Sequence, residues 1–195
     1  MATERPGGAT LGGKEFTLIG DELKVEDNAP EFSVLSSALS AVTLDSYKGK
    51  VKVICTVPSL DTPTCDTEIR RFNQEASGLD DNIAVLTISV DLPFAQGRWC
   101  GDAGVENVTA LSDHRDTSFG EAYGTLIKEL RLLTRAVFVV DAAVKSRHVT
   151  ILGEQNGASL AAEIDAAFGH RECCAAGFAA EHHGDSPNDA VYRSA

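Results

Sequence analysis

Cys65 and Thr62 are the residues whose types and spacing first suggest chemistry. They lie in VKVICTVPSLDTPTCDTEIRRFNQEA, Val51 to Ala76. The β-branched run Val51 to Val57 reads as a buried strand of a parallel sheet. Pro58 and Pro63 punctuate the loop behind it, since proline fixes φ and removes a donor. Ile69, Phe72, Ala76 and Leu79 then recur at helical spacing, with Glu68, Arg70, Arg71 and Gln74 between them. With Thr62 as N-cap, Pro63 takes the first helical position and Cys65 the first turn. Amides there lack intrahelical partners, and the macrodipole adds partial positive charge beside the sulfur. Both favour the thiolate, which is the nucleophilic form. The Thr62 hydroxyl can face that sulfur or an oxygen approaching it. A half-buried structural cysteine beside an ordinary threonine cap fits the same spacing.

Two further residues join this set. Cys100 lies in VDLPFAQGRWCG, after the apolar run AVLTISV (Ala84 to Val90). Asp91-Leu92-Pro93 reads as a strand-exit turn, and Phe94 to Val105 as the start of a helix. Spacing alone also allows Cys100 to be a packed helical side chain. Arg135 stands at the edge of AVFVV, where a guanidinium beside a thiolate would favour it and could hydrogen-bond an oxygen gaining charge. Taken alone, it reads as a surface arginine in a salt bridge.

PSLDTPTC followed by VDLPFAQGRWCG resembles the bacterial thiol peroxidases, which are atypical 2-Cys peroxiredoxins. The likeness extends through GKEFTLIGDELKVEDNAPEFSVL and AYGTLIKELRLLTRAVFVVD, from about Thr10 to Asp141. It implies a thioredoxin-like α/β fold, a central mixed sheet flanked by helices, with an N-terminal β-hairpin. Cys65 then corresponds to the peroxidatic cysteine and Cys100 to the resolving cysteine, which attacks oxidised Cys65 in the same chain. LLTRAVFVV maps the active-site arginine to Arg135 in preference to Arg131, and Pro58 to a shield limiting water's access to the sulfur. Thr62 completes the set. The resemblance implies reduction of hydrogen peroxide and organic hydroperoxides, thioredoxin as reductant, a homodimer, and no cofactor or metal. It weakens after Asp141, which leaves the last sheet edge unassigned.

Composition agrees with that class. The chain has 195 residues, 43% hydrophobic and 24% charged, as expected of one globular domain. A net charge of -12 with no basic run disfavours nucleic acid and anionic membranes. The first ten residues lack the apolar segment of a secretory signal, and no apolar run approaches the roughly 20 residues of a membrane span. A cytoplasmic location is expected, where thiols stay reduced unless catalytic. None of the five cysteines has C-x-x-C spacing. Cys55 is expected to be buried and inert, and Cys173-Cys174 permits only a strained vicinal disulfide.

In chain order, Lys14 to Ile19 and Glu22 to Val25 are expected to pair as the hairpin around Gly20-Asp21. Extended segments follow at Phe32 to Leu35 and Val42 to Leu44, and Tyr47 to Lys50 turns the chain into the central strand. Ala136 to Val140 is a third buried strand. His148 to Leu152 and Ser159 to Phe168 are candidates for a closing strand and helix. The domain is expected to span 1–168, with 169–195 a disordered tail in which His182-His183 is solvated. A redox sensor using the same two cysteines, and a non-catalytic domain on the same scaffold, are the competing classes. A disulfide needs Cα atoms within about 7 Å. Two cysteines on separate helices therefore imply local unwinding before Cys65 and Cys100 can join.

Overall fold

A computed structural model describes residues 2–152, 162, 165–167 and 169. The chain opens with β1 (Glu4–Leu11) and β2 (Lys14–Ile19), followed by β3 (Ser33–Leu35), β4 (Ala41–Thr43) and a 3-10 turn, Leu44–Tyr47. β5 (Val51–Thr56), α1 (Pro63–Ala76), β6 (Ile83–Ser89) and α2 (Pro93–Ala103) form the central unit. β7 (Thr109–Ser112), α3 (Ser118–Ala122), β8 (Leu126–Ile127), β9 (Leu132–Leu133), β10 (Arg135–Val140) and β11 (Ser146–Leu152) complete it. Seven strands form the main sheet in the order β11-β10-β5-β6-β7-β3-β4. β5 is parallel to β6 but antiparallel to β10, so the sheet is mixed. A four-stranded sheet, β1-β2-β8-β9, flanks it.

All six residues of β5 are buried, Lys52 included, whose Nζ donates to the Asp141 carbonyl at 3.0 Å. Strand alternation divides the core into two faces. Val51, Val53, Cys55 and Val57, with Val137 and Val139 of β10, pack beneath α1 and α2. Ile54, Ala136, Phe138 and Val140 point the other way, toward Phe119 of α3 and Tyr123. There Phe119 and Tyr123 stack at 4.1 Å, and Phe138 meets Tyr123 edge-on at 5.2 Å.

The hairpin is present but its strands differ from the sequence expectation. β2 pairs with β1, not with Glu22 to Val25, which form no strand. Gly12 and Gly13, both at positive φ (59° and 71°), make the two-residue turn. Pro6-Gly7-Gly8 reads as a strand breaker, but a register shift between Arg5 and Ala9 absorbs it, with Gly7 at φ 71°. Gly20 has a different task. At φ 101° it lies against the chain near α3, where an added methyl would collide with the Glu121 carbonyl. Arg5 Nε donates to the Gly20 carbonyl at 3.0 Å, and its Nη2 donates to Gly124 O, tying the hairpin to the main body.

The expected closing strand is present as β11, paired antiparallel with β10. Of the expected closing helix, residues 162 and 165–167 are helical, and the rest lies outside the described residues. The same holds for the expected tail apart from Gly169, and so for Cys173-Cys174 and His182-His183.

Gly20→Ala should cost about 2 kcal/mol or more, because it adds left-handed strain to a backbone collision. Urea unfolding checks this. The midpoint should fall while the denaturant slope stays constant.

Candidate active site

Strand register builds the site. β10 runs antiparallel to β5 with Ala136 opposite Thr56, so Arg135 lies level with the exit of β5, where the chain turns toward α1. Arg135 has the parity of Val137 and Val139, whose side chains face α1. The Thr56 hydroxyl donates to Thr134 O at 2.8 Å and clamps the strand just before the arginine.

Thr62 is the N-cap of α1 and Pro63 its first residue, as the sequence predicts. The Cys65 amide donates to Thr62 Oγ1 at 3.4 Å, and the Thr62 hydroxyl reaches Ser59 O at 3.4 Å. Thr62 therefore engages the backbone of Cys65 and its own loop. Pro58 lies half-buried in that loop. Asp91, read from sequence only as part of a turn, holds the loop in place. Its Oδ1 accepts from the Ser59 hydroxyl at 2.7 Å and its Oδ2 from the Leu60 amide at 2.8 Å. The second motif thus fixes the geometry of the first.

Cys65 is buried, 1% exposed. Arg135 Nη2 donates to its Sγ at 3.3 Å, and Arg135 Nε donates to Glu68 Oε2 at 2.7 Å. The alternative of a surface arginine is thereby removed, since the Arg135 side chain is 12% exposed. Burial alone would work against the Arg135 charge, but Glu68 and Cys65 outweigh it and push its pKa up.

Glu68 is a site residue that sequence reasoning missed. Its charge groups it with the polar residues of α1, yet it is fully buried, and its Oε1 has no hydrogen-bond partner among the described residues. The signal was available, since Cys65, Glu68, Ile69 and Phe72 follow i, i+3, i+4, i+7 and form the buried face of α1. Desolvation raises its pKa to about 7, and Arg135 acts in the opposite direction.

Cys100 lies on α2, half-buried, and packs against the same apolar cluster that contains Cys65. Both thiols are free, as is Cys55. Burial pushes the Cys100 thiol up. Cys55 is fully buried, and burial raises its thiol well above the ordinary value, with Thr87 Oγ1 3.6 Å away. That suits the inert role expected of it. Arg131, the competing arginine, lies in an exposed turn at φ 54°. Among the described residues no group of three or more His, Cys, Asp and Glu side chains converges as metal ligands would.

Residues 24–164 match the redoxin family. A thiol peroxidase from Halalkalibacterium halodurans is 57% identical over 145 residues, 74% of this chain and 87% of its own length. The chain belongs to the thiol peroxidase family. It is a thiol-dependent peroxidase, an oxidoreductase of the peroxiredoxin type. A Bacillus subtilis thiol peroxidase is 57% identical over 132 residues, 68% of this chain and 78% of its own. Among solved structures, a peroxiredoxin-like protein from Aquifex aeolicus superposes with a TM-score of 0.72 at 38% identity, covering 85% of this chain and 98% of that one. The fold is therefore thioredoxin-like, with an added N-terminal hairpin.

Glu68→Gln gives a pH test. A carboxyl raised from 4.5 to about 7 binds its proton more tightly folded than unfolded. The native state then loses stability as pH rises through that window. Relative to Glu68→Gln, the parent should gain stability as pH falls from about 7 to 4.5. Chemical unfolding of both proteins across that range checks the sign.

Proposed function

We propose that Cys65 is the peroxidatic cysteine of a thioredoxin-dependent peroxidase that reduces hydrogen peroxide and organic hydroperoxides. The observation that carries this is the Arg135 guanidinium, bonded at once to the Cys65 sulfur and the buried Glu68. In this mechanism the Cys65 thiolate attacks the terminal oxygen of ROOH. The O–O bond breaks, RO⁻ takes a proton and leaves as alcohol or water, and the sulfur becomes a sulfenic acid. Arg135 and the first-turn amides of α1 hold the peroxide and meet the charge developing on the departing oxygen. Thr62 fixes the helix start, and Pro58 limits water at the sulfur.

Cys100 then attacks the sulfenic sulfur, expelling water and forming the Cys65–Cys100 disulfide. A dithiol, thioredoxin, reduces it by exchange. Cys100 packs against the cluster that includes Cys65 but on another helix, which supports resolution within one chain after local unwinding.

The family resemblance supports a homodimer. Leu92 and Phe94, 53% and 67% exposed at the N-terminal end of α2, offer apolar surface that supports it. No described helix is long and apolar enough to cross a membrane, which accords with a cytoplasmic enzyme. The net charge of -12 supports a reaction away from nucleic acid. Residues 1–168 are taken as the catalytic domain.

A coupled assay with thioredoxin, thioredoxin reductase and peroxide tests this. Cys65→Ser should abolish turnover. Cys100→Ser should reduce one equivalent of peroxide and then stop. Sustained thioredoxin-dependent turnover by Cys100→Ser would remove the resolving role, and undiminished turnover by Cys65→Ser the peroxidatic one.

A further inference from the structure

The last turn of α2 is gripped from α1 by two side chains one helical turn apart. Arg70 Nη1 donates to Ala103 O at 2.8 Å, while its Nε donates to Asp66 Oδ2 at 2.9 Å. The same guanidinium lies 5.9 Å from the centre of the Trp99 ring, within cation–π range. Asn73 Oδ1 accepts the Glu106 amide at 3.1 Å and the Asn107 amide at 2.8 Å, just beyond the helix. Between these anchors, Gly104 closes α2 in the left-handed conformation at φ 66°. Its amide and that of Val105 both donate to the Cys100 carbonyl. Cys100 therefore begins the turn that these contacts hold shut.

We propose that Arg70 and Asn73 form a latch that keeps the Cys100 turn helical, and that its release limits the step joining Cys100 to Cys65. This rests on the roles proposed above for the two cysteines. The competing steps balance as follows. In resolution, Cys65–SOH and Cys100–SH give the disulfide and water. In overoxidation, Cys65–SOH and a second ROOH give Cys65–SO2H and ROH. The slower the latch opens, the longer the sulfenic acid stays open to a second peroxide. Arg70 and Asn73 are thus positioning residues that set the partition between cycling and inactivation. Neither touches the Cys65 sulfur, so the first oxidation should not depend on them.

The chain contains one tryptophan, Trp99, adjacent to Cys100 and under Arg70, which makes stopped-flow fluorescence a direct readout. The fully reduced protein is mixed with hydrogen peroxide, and the fast phase (oxidation) is separated from the slow phase (resolution). Arg70→Met and, independently, Asn73→Ala should leave the fast phase unchanged and accelerate the slow phase, on the order of threefold. Mass spectrometry should find the sulfinic form of Cys65 reduced in the same proportion. A merely structural contact would lower the melting temperature without moving the two rates apart. A normal fast phase with an unchanged or slower second phase in both variants would overturn the latch alone. Absence of any fast phase in the parent protein would overturn the peroxidatic role of Cys65 and the latch with it.

Discussion

The active site depends on one largely buried guanidinium. Arg135 is drawn under α1 by Glu68 and presents its remaining edge to Cys65. Removing a guanidinium and a carboxylate from water is costly unless they meet each other with good geometry. The 2.7 Å contact supplies that, and because Glu68 takes Nε, Nη2 is left to face the sulfur. A lysine has one compact charge and could not divide itself in this way. Oε1 of Glu68, which has no hydrogen-bond partner among the described residues, fits the same arrangement, since the carboxylate sits where it aims the arginine.

Everything around this pair serves its alignment. Antiparallel pairing of β10 on β5 brings Arg135 to the end of the sheet where α1 starts, and strand parity turns it toward the helix. Thr62 and Pro63 fix where α1 begins, and Asp91 holds the preceding loop through Ser59 and Leu60. Asp91 also accepts from the Ser89 hydroxyl at 2.8 Å, so the loop before Cys65 is tied to the end of β6. From there α2 leads to Cys100. The two sulfurs are thus carried by neighbouring β-α units of one sheet and face a shared core.

Much of this was legible in the chain. The N-cap, the first-turn position of Cys65 and the buried strands follow from residue types whose local preferences agree with the fold. Glu68 was missed because a charged residue in a helix is ordinarily assigned to the solvent face, although its position beside Ile69 and three residues after Cys65 places it inside. Asp91 was missed because its partners come from a loop about 30 residues earlier, and spacing does not report such contacts. The hairpin partner differs because Gly20-Asp21 carries the same two-residue turn signal as Gly12-Gly13, and the latter pair makes the turn. Strands as short as β8 and β9, two residues each, carry no periodicity to detect.

The most direct test of the central interaction compares two reactions of the same sulfur. If Arg135 acts on the peroxide as proposed, Arg135→Met should slow reaction of the reduced protein with hydrogen peroxide by at least about 100-fold, through loss of a donor to the departing oxygen. Alkylation by iodoacetamide, which has no O–O bond to break, should slow far less. Equal losses in the two rates would mean that Arg135 acts on the sulfur alone and would contradict its role toward the peroxide.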